Sequence, residues 1–319
     1  MKLFFSIIIP VYNRPDEIEE LLYSFTRQTY QEAYEILIVE DGSNKKADEI
    51  VEKYKEKLTI RYFFKENTGA GLSRNFGMKN AMGNYFIILD SDVILPPTYL
   101  STVDKALDLH YTDFFGGPDA AHNSFNVLQK AINYSMTSFL TTGGLRGRKN
   151  TKNFQPRSFN MGLSKKAFNA SGGFSKRRIG EDIDLSFRLS KLGFKSQFIA
   201  DAFVYHKRRT SLSAFFKQTY RFGKERPVLN KEYPGSAKLT YWFPSLFIIG
   251  FITAVILLFF RCFIPFVLLK LYCISIFIDA GIKNKSIWIG AMSVITSMVQ
   301  FFGYGMGFLH TQLTAKGSR

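Results

Sequence analysis

The stretch "YFIILDSDVILPP" (residues 85–97) decides the fold class, because an apolar strand-forming run ends in two aspartates, Asp90 and Asp92. A buried strand does not end in adjacent negative charges unless a cation or hydrogen-bond donors lie at its tip. Residues i and i+2 of an extended or turn segment can point to the same side. Two such carboxylates can hold Mg²⁺ or Mn²⁺ through oxygen. The stretch therefore predicts a divalent cation at the end of a strand.

The chain around this stretch alternates between strand and helix patterns. Apolar, β-rich runs lie at 3–9, 34–40, 60–64 and 84–89. A helix is predicted to begin at Pro15, a second lies around 50–54, and a third covers 69–81. Strands that alternate with helices predict an α/β fold with a mostly parallel sheet and helices on both faces.

Polar clusters follow three of these strands. They are "PVYN" at 10–13, "EDGS" at 40–43 and "DSD" at 90–92. Ligands bind at the carboxyl ends of strands in such sheets, so we expect the three clusters to converge on one crevice. Taken alone, "EDGS" is equally typical of a turn, since Asp-Gly is an ordinary turn former.

A second acidic cluster lies in "GEDIDLSFRLSKLGF" (180–194), where the leucine spacing predicts a helix that begins near Glu181 and Asp182. Acidic residues at a helix start complement its dipole, which is one explanation. The other is a carboxylate that acts as general base on an acceptor hydroxyl. His206 ends a further apolar strand and is a candidate metal ligand beside the two aspartates.

These motifs, in this order, resemble the inverting family 2 glycosyltransferases of the GT-A fold. The set comprises "IIIPVYN", "VEDGS", "NTGAGLSRNFGMKNAMGNYFIILDSD", "FNMGLSKKAFNASGGF" and "GEDIDLSFRLSKLGF". The resemblance covers roughly residues 3–225. It implies a Rossmann-like domain that transfers a sugar from a nucleotide-diphospho-sugar, and it favours a UDP-sugar as this donor. The implied reaction is a single displacement that inverts the configuration at the anomeric carbon. The resemblance also implies a divalent cation, Mn²⁺ or Mg²⁺.

The resemblance assigns roles to individual residues. The implied donor-binding residues are Pro10, Tyr12, Asn13, Asp41, Arg74 and Asp90, with Asp41 on the nucleotide base and Tyr12 packed against it. Asp90, Asp92 and His206 are the implied metal ligands, and Asp182 is the implied catalytic base. The acceptor residues that we expect are Asn160, Glu181, Gln218, Arg221 and Phe222.

Two of the acceptor assignments have alternatives. Asn160 is equally well explained as a turn asparagine. "QTYRF" (218–222) resembles the Gln-x-x-Arg-Trp motif of processive members, with phenylalanine in place of tryptophan. The same stretch also fits an amphipathic helix whose basic face approaches a membrane, so processive and single transfer both remain open.

The composition changes abruptly near residue 233, which predicts a catalytic domain at 1–232 and a membrane region at 233–319. A spanning helix needs about 20 mainly apolar residues. The candidate spans are about 244–260, 263–282 and 286–309. Lys270 in the second costs about 2.5–3.5 kcal/mol on insertion scales, so that segment either spans with a snorkelling lysine or is re-entrant. Glycines 303, 305 and 307 favour close helix contacts.

The charge predicts an anionic partner, since 42 Lys and Arg against 26 Asp and Glu give +16. The positive-inside rule, with basic residues before 244 and "KNK" at 283–285, predicts a multi-pass inner-membrane protein whose catalytic domain is cytoplasmic. Basic clusters predict contact with anionic lipids. They comprise Arg146, Arg148, Lys149, Lys152 and Arg157, then 176–178 and 207–209. No recognition helix, zinc pattern or aromatic RNA motif points to nucleic acid.

Three functions follow from these observations. The first is transfer to a lipid-linked saccharide or polysaccharide in cell-surface glycan synthesis. The second is transfer to a polyprenyl phosphate, whose nucleophile is already ionised and needs a base less. The third is a catalytically silent scaffold that only binds nucleotide sugar, which the intact Asp41, Asp90, Asp92 and Asp182 disfavour.

Overall fold

The computed structural model describes residues 2–143 and 154–314. These fall into two compact units. The sheet unit contains the described residues up to His122 and from 154 to Lys207, and the helical unit contains 123–143 and 208–314. This division differs from the expected boundary near 233, because segment 123–143 and the chain from Arg208 group with the C-terminal helices.

The strands, in chain order, are β1 Phe5–Val11, β2 Tyr34–Asp41, β3 Ile60–Lys65, β4 Tyr85–Leu89, β5 Val93–Ile94, β6 Phe114–Gly116, β7 Asp119–Ala120, β8 Asn160–Ser164, β9 Ser196–Phe198 and β10 Val204–His206. The helices are α1 Pro15–Phe25, α2 Asp48–Tyr54, α3 Ala70–Asn80, α4 Tyr99–Leu109, α5 Val127–Thr137, α6 Phe139–Thr142, α7 Lys165–Ser171, α8 Glu181–Lys191, α9 Leu212–Glu232, α10 Phe243–Phe259, α11 Ile264–Asn284 and α12 Ile287–Thr314, with a 3₁₀ turn at Leu239–Trp242.

The central sheet has seven strands in the order β3-β2-β1-β4-β8-β6-β9. β1 pairs in parallel with β2 and β4, and β2 pairs in parallel with β3. β8 runs antiparallel to both of its neighbours, β4 and β6. The predicted mostly parallel sheet is therefore confirmed. A smaller sheet, β5-β10-β7, lies after the end of β4 in the chain and carries His206.

The apolar run of β1 is buried along its whole length because helices cover both faces of the sheet. Ile7 and Ile9 belong to one core with α1 and α4, whereas Ile8 belongs to a second core with α3 and α8. Successive strand residues point to opposite faces, so a continuous apolar run is what a strand between two helix layers requires.

The sequence did not predict β8, whose segment "NMGLS" carries a glycine. A side chain at Gly162 would meet the ring of Phe115, so the glycine is needed for the neighbouring strand to approach. Glycine inside a strand weakens the local strand pattern and often marks such a close approach.

In the helical unit, α12 packs against α5, α9, α10 and α11. A side chain at Gly303 or Gly307 would collide with Thr219 or Tyr220 of α9, and one at Gly305 would collide with the carbonyl of Pro244 in α10. The glycines therefore bring α9 and α10 onto opposite sides of α12. This agrees with the close helix contacts predicted from their spacing.

Three segments are long and apolar enough to cross a membrane, by length and composition. They are Leu239–Phe259, Ile264–Asn284 and Ile287–Thr314. The second is one unbroken helix, in which Lys270 is exposed. It also contains Asp279, whose carboxylate accepts hydrogen bonds from Tyr134 (2.6 Å) and Lys283 (2.8 Å).

Candidate functional site

Side chains at the ends of two parallel strands, β2 and β4, and of the small sheet lie at the carboxyl edge of the sheet unit. Asp41 ends β2, and Asp90 and Asp92 follow β4. β10 pairs with β5 so that His206 lies opposite Val93, the residue after Asp92. The backbone N–H of Lys207 donates to the carbonyl of Asp92 (2.9 Å), which fixes the two segments together.

Asp90, Asp92 and His206 form a cluster that could hold a metal ion. One ligand atom from each lies within 4.8 Å of the others, and all three residues are half-buried. His206 Nε2 is 3.2 Å from Asp92 Oδ1. Two carboxylates and an imidazole fit a divalent cation such as Mn²⁺ or Mg²⁺.

The imidazole of His206 is held from several sides. Phe159 stacks on its face, with ring centroids 4.8 Å apart and planes inclined by 26°. Asp119 Oδ2 lies 3.9 Å from Nδ1, on the side of the ring that faces away from Asp92. A carboxylate behind Nδ1 favours the tautomer in which Nε2 carries the lone pair and faces a metal.

Arg74 joins this cluster to the start of α8. Its guanidinium is buried and donates to Asp90 Oδ1 (2.7 Å) and to Glu181 Oε1 (3.0 Å). Burial by itself would lower the pKa of Arg74, but the charges of Asp90 and Glu181 outweigh it and raise that pKa. The arginine is therefore fully charged and fixes the distance between the two carboxylates.

Glu181 and Asp182 begin α8, as the sequence predicted. Asp182 Oδ2 accepts from the backbone N–H of Ser158 (3.3 Å), and Oδ1 lies 3.7 Å from Arg157 Nη1. Burial, with the nearby negative charge of Asp182, raises the pKa of Glu181 although Arg74 opposes the shift. The two adjacent carboxyl groups thus have different partners: Glu181 pairs with Arg74, and Asp182 lies beside Arg157 and the backbone N–H of Ser158.

Asp41 is held in its charged form. It accepts hydrogen bonds from the backbone N–H groups of Thr68 (2.9 Å) and Gly69 (2.8 Å) and from Lys65. Burial tends to raise the pKa of Asp41, but these donors bring it below its ordinary value. Gly69 has a φ of 94°, a conformation that favours glycine, and so brings its N–H to the carboxylate. Tyr12 beside this region is 52% exposed.

Asn13 and Glu40 shape the loops around Asp41. Asn13 Oδ1 accepts from the backbone N–H groups of Asn44 (2.8 Å) and Lys45 (3.0 Å), which ties the end of β1 to the loop after β2. Glu40 is fully buried and accepts from the backbone N–H of Ala47 (3.0 Å) and the hydroxyl of Tyr62 (3.2 Å). Glu40, the glutamate of "EDGS", therefore holds the loop after β2 in place through these hydrogen bonds.

The structure places several expected site residues elsewhere. Asn160 is fully buried, accepts from the hydroxyl of Tyr99 (2.7 Å) and donates to the carbonyl of Ala202 (2.8 Å). Its amide therefore has a structural role, in place of the expected acceptor contact. The side chain of Pro10 is buried within β1 and offers no surface to a donor.

The three expected acceptor residues of "QTYRF" lie on α9 in the helical unit. Phe222 packs against a small core formed by Ile132, Met136 and Phe215, while Arg221 is exposed and Gln218 is half-buried. Packing in this core is the alternative to acceptor stacking, and it agrees with the amphipathic-helix interpretation of the stretch. Of the basic cluster at 146–157, Arg146, Arg148, Lys149 and Lys152 lie outside the described residues, whereas Arg157 is close to Asp182.

Three site residues were not predicted. Arg14 Nη1 lies 4.0 Å from Asp92 Oδ2 and also pairs with Glu17, whose pKa is raised by burial and by Asp92. Asp119 stands behind His206. Arg14 directly follows "PVYN", so its place at a strand end was a usable signal. Asp119 occurs singly in a short Gly-Pro loop, and only the pairing of β7 with β10 brings it to the site.

A family model described as glycosyl transferase family 2 matches residues 6–172, just over half of the chain. An uncharacterized glycosyltransferase of Rickettsia conorii is 45% identical over 129 residues, which are 39% of this chain and 21% of that protein. The poly(ribitol-phosphate) beta-N-acetylglucosaminyltransferase TarS of Staphylococcus aureus is 34% identical over 112 residues, 34% of this chain and 20% of TarS. The chain thus spans only a minor part of these curated relatives.

Solved structures agree on the fold. The mannosyltransferase PcManGT of Pyrobaculum calidifontis, in complex with GDP-Man and Mn²⁺, has a TM-score of 0.65 at 15% identity and covers 95% of this chain and 88% of its own. Residues 1–349 of TarS with UDP-GlcNAc give 0.53 at 18% identity and cover 98% of this chain and 92% of that one. At these identities the likeness concerns the fold alone, and it confirms the GT-A fold that the motifs implied. Since the family model covers more than half of its residues, this chain belongs to glycosyl transferase family 2.

Proposed function

We propose that the protein is an inverting, metal-dependent glycosyltransferase that moves a sugar from a nucleotide-diphospho-sugar to a hydroxyl of a glycan acceptor. The observation that carries this proposal is the cluster of Asp90, Asp92 and His206, joined through Arg74 to the helix that carries Asp182. A cation site and a carboxylate base on one edge of a sheet are the two parts that this transfer needs.

Asp41 and Tyr12 support nucleotide recognition. The carboxylate of Asp41 is held ionised by its donors, so it can accept a hydrogen bond only from a base that presents an N–H. The exposed ring of Tyr12 offers an apolar face for the same base. Relatives bind UDP-GlcNAc or GDP-Man, and both uracil and guanine carry such an N–H. We favour a UDP-sugar, as the sequence motifs do.

The transfer itself falls to Asp182. Its carboxylate takes the proton from the acceptor hydroxyl while the hydroxyl oxygen forms a bond to the anomeric carbon and the bond to the nucleoside diphosphate breaks. Arg157 Nη1 lies 3.7 Å from Asp182 Oδ1, on the same carboxylate. A divalent cation held by Asp90, Asp92 and His206 would supply the charge neutralisation that the departing diphosphate requires.

The proposed function includes a membrane location and a class of acceptor. Three helices long and apolar enough to span a bilayer, together with the basic charge, support a multi-pass protein of the inner membrane with a cytoplasmic catalytic unit. A lipid-linked saccharide or a growing polysaccharide is the kind of acceptor that suits this membrane position. The name of TarS, a poly(ribitol-phosphate) beta-N-acetylglucosaminyltransferase, indicates that its acceptor is a polymer. Anionic lipids would stabilise the basic surface.

The test is nucleoside-diphosphate release from a panel of nucleotide sugars by the detergent-purified protein, with and without Mn²⁺, beside Asp92→Asn. We expect release from one donor, dependent on the cation and abolished by the substitution. A native membrane-lipid extract supplies acceptor in a parallel reaction. Nucleotide-sugar binding without release in any of these reactions would instead identify a silent binder.

A further inference from the structure

Arg226 lies on the buried side of α9, in the helical unit, and is only 7% exposed. Its Nη1 is buried without a hydrogen-bond partner, and within residues 2–143 and 154–314 no carboxylate or carbonyl accepts from the guanidinium. The contact that Arg226 does make is with the ring of Tyr241, whose centroid is 4.2 Å from Cζ. Arginine side chains in proteins carry a positive charge and offer only donors, so this guanidinium has no acceptor within the described residues.

A buried charge without an anionic partner is unfavourable, and proteins seldom retain one. Glu225 and Glu232 lie on the same helix and have partners of their own. A guanidinium donates its N–H groups in its own plane, as a fork that matches the oxygens of a phosphate or carboxylate. The contact with Tyr241 is made through a face of that group, so it does not satisfy the N–H groups at the edge, of which buried Nη1 has no hydrogen-bond partner.

The position of Tyr241 beside a candidate membrane span indicates the source of the anion. Tyr241 and Trp242 stand directly before α10, the start of the first apolar segment, and Trp242 packs on Phe308 of α12. Tyrosine and tryptophan at the ends of spanning helices lie at the level of the lipid headgroups. If Leu239–Phe259 spans the bilayer, the guanidinium over Tyr241 lies at the depth of lipid phosphates.

The surrounding charge favours the same ligand. α9 carries five basic and two acidic residues, so the helix has a net charge of +3. We infer that Arg226 and Tyr241 form a binding site for the phosphate group of a lipid. The inference rests on the membrane placement within the proposed function and adds a specific anion site to it. The phosphate belongs either to a bulk anionic lipid or to a lipid carrier of a glycan.

The test measures lipid binding by the full chain in a phosphate-free detergent, by native mass spectrometry and by the shift in unfolding temperature. The probes are phosphatidylglycerol, a polyprenyl diphosphate, diacylglycerol without phosphate, and inorganic phosphate. Arg226→Met removes the site. Lys224→Met is the matched control, because Lys224 is exposed on the same helix and its loss changes the net charge equally.

We expect both phosphate lipids to bind and to raise the unfolding temperature of the unsubstituted protein and of Lys224→Met. In Arg226→Met the lipid binding constant should fall by about ten- to a hundredfold, the value of a hydrogen-bonded charge. Without lipid, Arg226→Met should unfold no earlier than the parent, since it removes an unpaired buried charge. Tighter binding of the diphosphate would identify a lipid carrier as the source, and equal binding a bulk lipid.

Other results would overturn the site. Equal lipid binding by the parent and Arg226→Met places the phosphate elsewhere. Early unfolding of lipid-free Arg226→Met, with Arg226→Lys restoring stability but not lipid binding, makes the arginine a structural partner of Tyr241. If inorganic phosphate binds and raises the unfolding temperature as much as the phosphate lipids do, the site binds phosphate without preference for a lipid. These readouts do not involve sugar transfer, so they are independent of whether the proposed transferase reaction is observed.

Discussion

At the scale of single residues, Glu181 and Asp182 are neighbours with different partners. Arg74 donates to Glu181, whereas Asp182 accepts from the backbone N–H of Ser158 and lies 3.7 Å from Arg157. The sequence places both residues at the start of a helix, and the family resemblance implies that Asp182 is the base. The sequence does not reveal the partner of Glu181, because Arg74 is more than 100 residues away in the chain.

Asp182→Asn is expected to retain nucleotide-sugar binding and to lose transfer by about 10²–10⁴-fold, because the amide cannot take a proton. The measurements are binding by calorimetry and transfer by product formation. Glu181→Gln serves as the neighbouring control, in which transfer should fall through weaker positioning of Arg74. Full transfer by Asp182→Asn would contradict the base and would instead favour an acceptor that is already ionised, such as a polyprenyl phosphate.

Arg74→Lys is expected to lower the free energy of unfolding by about 1.5–3 kcal/mol, because a lysine cannot donate to Asp90 and Glu181 as a fork. Thermal or denaturant unfolding measures the change. In a double-mutant cycle, Glu181→Gln should cost less in the Arg74→Lys background than in the parent. Additive effects of the two substitutions would show that the bridge contributes nothing to stability.

At the scale of elements, the long apolar strands and amphipathic helices were predictable, whereas among the short strands β10, which ends at His206, was expected and β5 and β7 were not. β1 to β4 are apolar runs of five residues or more, and α1 begins at Pro15 as expected. β5 and β7 have two residues each, too few for any periodicity. Yet these two strands place His206 and Asp119, so the local signal is weakest where the site depends on tertiary pairing.

The seam between α9 and α12 yields a prediction about packing. Gly307→Ala should lower the stability of the detergent-purified protein by about 1–3 kcal/mol, since the new methyl group would collide with the carbonyl of Tyr220. Gly250→Ala in α10 is the control, because nothing lies within 4 Å of a side chain there. Unfolding temperatures of the two variants decide the question, and equal values would mean that the helices separate at no cost.

At the scale of the whole molecule, the division into a sheet unit and a helical unit could not be foreseen from composition. Residues 123–143 precede part of the sheet unit in the chain, but they group with the C-terminal helices. α5 packs on α12, and Ser135 bonds to the hydroxyls of Thr296 (2.6 Å) and Ser297 (3.1 Å) in that contact. Partners so distant in sequence leave no trace in local composition.

Three spans place the two ends of the helical segment on opposite sides of the membrane. A reporter fused after residue 319 should therefore lie outside the cytoplasm, whereas one fused after residue 285, behind two spans, should lie inside. At each position, one enzymatic or fluorescent reporter that is active only in the cytoplasm is compared with one that is active only outside it. A cytoplasmic reporter after residue 319 would reject three spans and return Lys270 to a re-entrant segment.

The contact between α5 and α12 also sets an order of events during synthesis. Ser135 leaves the ribosome 161 residues before its partner Thr296. At about 5–20 residues per second, α5 waits roughly 8 to 32 seconds for the helix that covers it. The nascent chain therefore exposes the apolar side of α5 to chaperones and to the insertion machinery until α12 arrives.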